Sequence, residues 1–455
     1  MYKLLYINFY KIKNLITYQF LKMFKKNENI SYLKKCKICG NNNLQKVIRL
    51  DEQYISAAFV KSNKDNDLKK IKTHLNLSLC IQDENLNNCG HLQLNEIINP
   101  DILYRNYFYR SSTNDTMKKD LKNVVESVIK IVKPVPNDII VDIGSNDCTL
   151  LNYYQKELIL VGFEPAKNIK FIDEGKNIKI FSDYFNAHDF IKNFDKKAKI
   201  ITSCAMFYDL HDPKKFINDI KSILDEDGIW CVQVSYLLLM IKNLNFYDIC
   251  HEHLSYYSIY SFEKLMNQSN LKVFYAETNH VNGGSIRFYV CNSHCKKYDK
   301  KKYQSQLSKL REDEEKYHLN QVSTFLNYQK KIDELKYKIN SYIDNILREK
   351  GTVIALGAST KGNILLQHFG LGKNKIPFIS ERNQAKVGLR CLGTDIELIS
   401  EERARNLKPK VMLILPWYFK EEIIIREKKY LEEGGELMFP MPYPHIVTKK
   451  TEIKL

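Results

Sequence analysis

The sequence predicts an α/β protein: a small cysteine-bearing N-terminal module followed by two strand–turn–helix units. Three stretches carry that prediction. The first is DIIVDIGSNDCTLLNYYQKELILVGFEP, Asp138 to Pro165, where an apolar run ends in Asp142, turns at Gly144 and returns as LILVGF closing on Glu164. The second is TVIALGASTKGNILLQHFG, Thr352 to Gly370, a strand running into a glycine-bearing turn and then a helix. The third is Cys36-x-x-Cys39-Gly40, with Cys80 and Cys89 further along.

Residues 1–35 differ in character from the rest. MYKLLYINFYKIKNLITYQFLKMFKK has no acidic residue before Glu28, no uncharged run long enough to span a membrane and no signal-peptide cleavage site. A basic, non-essential extension is favoured over membrane contact through residues 1–26 or an organellar presequence. The net charge of +17 comes from lysines scattered among asparagines and isoleucines, a compositional bias rather than a nucleic-acid face. A basic surface still suits an anionic small substrate such as a sugar nucleotide. The 11 cysteines follow no secreted-domain pattern, which points to a reducing, cytoplasmic setting.

Residues 36–100 read as a zinc-binding module. A C-x-x-C-G knuckle puts two thiolates on one turn, and Cys36, Cys39, Cys80 and Cys89 make a tetrahedral set. Because eight residues separate the second pair rather than two, His91 or His74 replacing a cysteine stays open, as does the absence of a metal.

Residues 101–295 hold the central unit. Tyr104, Tyr107 and Tyr109, followed by Ser111, Ser112 and Thr113, could line a polar pocket or simply pack. A helix is predicted from about Asp115 to Val132, closed by Pro134 and Pro136. Glu164 lies 22 positions after Asp142, about the spacing that sets a carboxylate on ribose hydroxyls. The turn has one glycine where a dinucleotide fold wants three for its pyrophosphate. S-adenosylmethionine has no phosphate and is favoured over NAD, with Asp142, Gly144, Asn146, Asp147 and Glu164 around it. Ligands of open α/β sheets bind beyond the strand carboxyl ends. Asp183, Tyr184, Met206 and Tyr208 fall there, and Gln233 and Tyr236 reach the same edge.

YDICHEHLSYYS, Tyr247 to Ser258, sets Glu252 between His251 and His253. Zinc hydrolysis needs histidines at i and i+4, so this spacing argues against it. Imidazole beside carboxylate suits a general base with an orienting partner, against the plainer reading of a satisfied polar cluster. Residues 296–350 read as a helical linker, and residues 351–455 as a C-terminal α/β domain whose Ser359 and Lys361 could hold a phosphate.

CKICG, VDIGSND, AMFYDL, CHEHLSYYS, NGGSIR and GASTKGN, in that order from Cys36 to about Val447, resemble the sugar C-methyltransferases. The resemblance implies a zinc-binding module, a class I (Rossmann-like) methyltransferase domain and a second Rossmann-like domain. It also implies methyl transfer from S-adenosylmethionine to a carbon beside the keto group of a nucleotide-linked sugar, in deoxysugar biosynthesis. By that resemblance the HEH string supplies the base and GASTKG helps grip the nucleotide sugar. His253 is the expected base and Glu252 its partner, with His251, Tyr107, Tyr109, Tyr208, Gln233, Tyr236, Tyr256, Tyr257, Asn282 and Arg287 toward the sugar. Cys148 departs from a usual glycine and Cys250 from a frequent tyrosine. An NAD-dependent nucleotide-sugar dehydrogenase and a non-catalytic zinc scaffold are the rival readings; the sugar and the oligomeric state are not legible.

Overall fold

The computed structural model describes residues 29–56, 59–61, 71–81, 89–105, 107 and 109–455, so the reading of residues 1–26 lies outside it. Its central sheet has seven strands: β1 Ile139–Ile143, β2 Ile159–Phe163, β3 Lys179–Phe181, β4 Ala198–Cys204, β5 Leu224–Ser235, β6 Leu271–Asn279 and β7 Ser285–Asn292. They lie in the order β3-β2-β1-β4-β5-β7-β6, with only β7 antiparallel to its neighbours. This is the class I methyltransferase arrangement. All five residues of β1 are buried, as an inner parallel strand covered on both faces requires. Strand order reverses between β1 and its neighbours β2 and β4, and a ligand crevice opens at such a reversal.

The helix over Asp115–Val132 covers one face of this sheet. Asn114 caps it by accepting from the Met117 amide, and Met117, Leu121, Val124, Val125, Val128 and Val132 form its buried stripe. Lys133 ends it in the left-handed region, just before Pro134.

The C-terminal domain repeats the same core order. Glu397–Ser400, Phe378–Glu381, Val353–Leu356, Val411–Ile414 and Glu436–Phe439 lie side by side and parallel. GGELMFPMPYPHIV gives two strands, Glu436–Phe439 and antiparallel His445–Val447, because the proline-rich stretch between them turns the chain back. Antiparallel Glu452–Lys454 forms that edge of the sheet, and Phe59–Val60 of the N-terminal module forms the other.

That module exchanges strands in both directions. Its own sheet runs Ser255–Tyr256, Leu92–Leu94, Lys72–Cys80, Leu44–Tyr54, so the HEH segment leads directly into a strand of the cysteine module. Between the two α/β domains run helices Lys301–Tyr317 and Val322–Arg348. The second buries Phe325, Tyr328, Ile332, Leu335, Ile339, Ile343 and Ile346 at helical spacing, so it is part of the core. One apolar cluster crosses all three domains. Polar ties follow it: the Tyr247 hydroxyl donates to the Leu415 carbonyl at 2.9 Å, and that of Tyr328 to Met240 at 3.2 Å. Among the described residues no helix is long and apolar enough to cross a membrane.

Candidate active site

The four cysteine sulfurs lie within 4.8 Å of one another, with Cys36 3.3 Å from Cys89 and Cys39 3.5 Å from Cys80. The knuckle closes where the Gly40 amide donates to the Cys36 carbonyl at 2.9 Å, and Gly40 has φ +77°. Cys80 ends its strand, and its amide donates to the His91 carbonyl at 2.9 Å, which brings Cys89 back alongside. Four sulfurs so placed fit tetrahedral zinc. His91 is not a ligand: its Nε2 is 3.2 Å from the Ser255 hydroxyl and its ring packs on Tyr257. His74 is exposed, so the four-cysteine set stands.

At the β1 turn, Gly144 has φ +74°, and a Cβ there would press on Met206 at 3.2 Å. Glu164 ends β2 with both carboxylate oxygens engaged, accepting from the Asn146 amide and the Ala166 amide, each at 2.8 Å. Burial raises its pKa and those two amides oppose the rise. Each oxygen keeps a lone pair for the cavity, the pairing a vicinal diol can use. Asp142 accepts from the Thr202 hydroxyl at 2.6 Å, and burial pushes it up to about 7. The expected consequence is direct. Glu164→Gln and Glu164→Ala should weaken donor binding by roughly 1.5–3 kcal/mol, with alanine the worse because it also strands two buried amides. Titration calorimetry reads this, and unchanged affinity in both variants rules out the ribose role.

Beyond the carboxyl edges of both sheets lies a cavity of about 1340 Å³ lined by both α/β domains. Tyr107, Tyr109, Asp142, Gly144, Asn146, Glu164, Tyr184, Met206, Tyr208, Gln233, Glu252, His253, Asn282, Ser359 and Lys361, all expected at the site, line it. The His253 ring centroid is 4.1 Å from that of Tyr208. Burial first, and Lys361 second, lower His253 to about 3, so its imidazole is neutral. Burial raises Glu252, whose Oε2 has no hydrogen-bond partner. The Tyr104 hydroxyl donates to the Glu252 carbonyl at 3.3 Å. Asp209 lines the same cavity, and nothing in the spacing of AMFYDL singles it out.

Seven residues expected at the site lie off the cavity wall. Asp147 accepts from the Thr149 hydroxyl at 2.6 Å and the Ser112 amide at 3.0 Å, which holds the turn itself. Asp183 pairs with Arg105 at 2.9 Å. Arg287 is buried and donates four hydrogen bonds: to Gln233 Oε1, Asn123 and Glu277 at 3.0 Å each, and to Asp120 at 3.2 Å. Such a buried ion-pair cluster ties β5, β7 and the covering helix together and leaves Arg287 off the cavity wall. Tyr236 and Tyr257 are core residues, Tyr256 donates to the Asp248 carbonyl at 3.4 Å, and His251 is buried with both ring nitrogens unpartnered. Among the residues on the wall, Gln233 is fixed from below, donating to Asp120 at 2.5 Å.

In the C-terminal lobe Lys361 forms an ion pair with buried Asp248 and donates to the Asn282 carbonyl at 3.0 Å. Burial alone would lower its pKa; Asp248 more than offsets that and holds it above the ordinary value. Lys361 is thus a strut between domains, not the free phosphate clamp its sequence suggests. The Ser359 hydroxyl caps its helix by accepting from the Gly362 amide at 3.0 Å. Glu381, which the motifs do not point to, repeats Glu164. It ends the second strand of its sheet and accepts from the Ala358 amide at 3.1 Å and the Asn383 amide at 2.8 Å. Gly357 occupies the place of Gly144, with φ +85° and Pro416 2.8 Å from where a Cβ would sit.

Three family models match successive stretches of the chain. Residues 36–104 match a zinc binding domain, residues 116–276 a methyltransferase domain and residues 280–442 the C-methyltransferase C-terminal domain. The C-methyltransferase NovU of Streptomyces niveus is 24% identical over 422 residues, 92% of this chain and 98% of NovU. Among solved structures, an S-adenosylmethionine-dependent methyltransferase from Clostridium acetobutylicum is 12% identical. It covers 38% of this chain and 92% of its own, at a TM-score of 0.32. Magnesium protoporphyrin IX methyltransferase from Synechocystis, with bound S-adenosylhomocysteine, is 9% identical and covers 40% and 88%, at 0.31. The protein is an S-adenosylmethionine-dependent methyltransferase with a zinc-binding N-terminal module.

Proposed function

We propose that the chain methylates a carbon beside the keto group of a nucleotide-linked sugar, through an enolate formed by the Glu252–His253 pair. One observation carries the reading: a single cavity joins the Glu164 edge to the Glu381 edge, and Glu252 and His253 face into it. Two carboxylates, each at the end of a second strand and each held by a pair of backbone amides, suit two riboses, one of the donor and one of a nucleotide substrate. NovU, similar over nearly the whole chain, bears the name C-methyltransferase.

The chemistry follows from the residues. A C–H beside a carbonyl is a weak acid, and carbon becomes nucleophilic only after losing that proton. Neutral His253 can accept it, and the neighbouring Glu252 carboxylate can steady the imidazolium that results. S-adenosylmethionine supplies an electrophilic methyl group. Glu164 and the Gly144 turn hold the donor edge, and Tyr104, Tyr107 and Tyr109 on the cavity wall help exclude water from the enolate. Binding of a keto sugar nucleotide tests the substrate side. Glu381→Gln should weaken it by roughly 1.5–3 kcal/mol and leave donor affinity unchanged. Equal loss of both, or of neither, would argue against a nucleotide at that lobe.

A further inference from the structure

We propose that Asp209 takes part as a neutral carboxylic acid, its O–H donating to the substrate's keto oxygen and steadying the charge of the enolate. This role rests on the keto-sugar reading above. Asp209 follows β4 in the short turn Phe207–Asp209, and it lines the cavity that Glu252 and His253 line. Its Oδ1 has no hydrogen-bond partner, and neither has Oε2 of Glu252. The groups acting on it are the Tyr104 hydroxyl and Glu252, with no cation among them. The wall's nearby ammonium, Lys361, is already paired with Asp248.

Two buried carboxyl groups on one cavity wall, each with one oxygen free of hydrogen bonds, cannot both ionise cheaply. Burial pushes Asp209 well above the carboxylate range, and the charge on Glu252 pushes it further. Burial raises both carboxyls, so one of the two keeps a proton, and on this proposal Asp209 holds it. Carboxyl groups whose environments are pushed apart in this way separate into acceptor and donor. Tyr104 braces the arrangement by donating to the Glu252 backbone.

The step balances without a further reagent. The α-proton passes to the Glu252–His253 side, and the C–H pair becomes the enolate C=C. The carbonyl π pair moves onto an oxygen that accepts the Asp209 hydrogen bond. When the carbon takes the methyl group the carbonyl reforms, Asp209 is unchanged, and the abstracted proton leaves to water.

Asp209→Asn and Asp209→Val, in the full chain, test the role through exchange of the sugar's α-proton with deuterated water in the absence of donor. Asparagine still donates a hydrogen bond and should keep exchange within about tenfold of wild type. Valine should lose about 10²–10³-fold, the usual worth of one oxyanion donor. Both should bind S-adenosylmethionine and sugar nucleotide normally. Infrared spectra at neutral pH should show a protonated carboxyl band that Asp209→Asn removes. Normal exchange in Asp209→Val, an asparagine variant as inert as valine, or no such band would overturn the role. A wild-type protein that exchanges no keto sugar's proton overturns the function reading and this role together, whereas wild-type exchange with an unaffected valine variant overturns this role alone.

Discussion

His253→Asn is expected to lower turnover by about 10²–10⁴-fold, the usual worth of a positioned base, while both substrates still bind. Binding should survive because the base acts in the transition state and shape is conserved. Glu252→Gln should fall in the same range for a different reason. With burial and Lys361 lowering His253 to about 3, the imidazole is neutral but a reluctant acceptor. It gains basicity only if a nearby carboxylate stabilises the imidazolium, and the proposed mechanism gives that role to Glu252, adjacent in the chain and on the same wall. Exchange of the α-proton without donor isolates this step from methyl transfer. Loss in both variants matches the coupled pair. Loss in Glu252→Gln alone moves the base to the carboxylate, and normal exchange in both makes the cluster structural.

Loss of zinc should have the larger effect on folding. Replacing Cys39 or Cys80 by serine is expected to abolish the bound ion, about one per chain, as judged by elemental analysis. Structural zinc sites contribute on the order of 10–16 kcal/mol of binding energy that is also folding energy, so the module should unfold without it. The effect should reach the cavity. Ser255 and Tyr256 pair with Gln93 and Leu92, and His91 meets the Ser255 hydroxyl, so the module anchors the chain immediately after His253. Hydrogen exchange should show the 250–257 segment loosening together with residues 89–94. A metal-free protein with an unchanged melting curve would contradict both parts.

Much of this was legible because local chemistry and fold agree. The helix over Asp115–Val132 is fixed by a cap, a stripe and a proline, all within one stretch of chain. Glu164 could be found because a parallel strand pair sets a constant distance between the β1 turn and the next strand end. The four cysteines needed only the assumption that a strand end and a loop fold back together, as Cys80 and Cys89 do.

What escaped depends on partners distant in sequence. Strand pattern places Gln233 at the edge and the resemblance sets Arg287 toward the sugar, but only the fold brings Asp120 and Glu277 against them. Lys361 looks like an anion clamp until Asp248 is seen beside it. Asp209 sits inside AMFYDL without being singled out there, and Glu381 lies in none of the motifs; both line the cavity only once the chain is folded.

The central claim is carbon methylation of a nucleotide-linked keto sugar, and product analysis tests it most directly. The purified protein, zinc-loaded, would be incubated with methyl-labelled S-adenosylmethionine and a panel of 4-keto nucleotide sugars, and the products read by mass spectrometry and NMR. The account predicts one labelled methyl per sugar, bonded to the carbon next to the keto group, with S-adenosylhomocysteine formed in equal amount. Label on oxygen or nitrogen, or no labelled sugar while the donor binds normally, would contradict it.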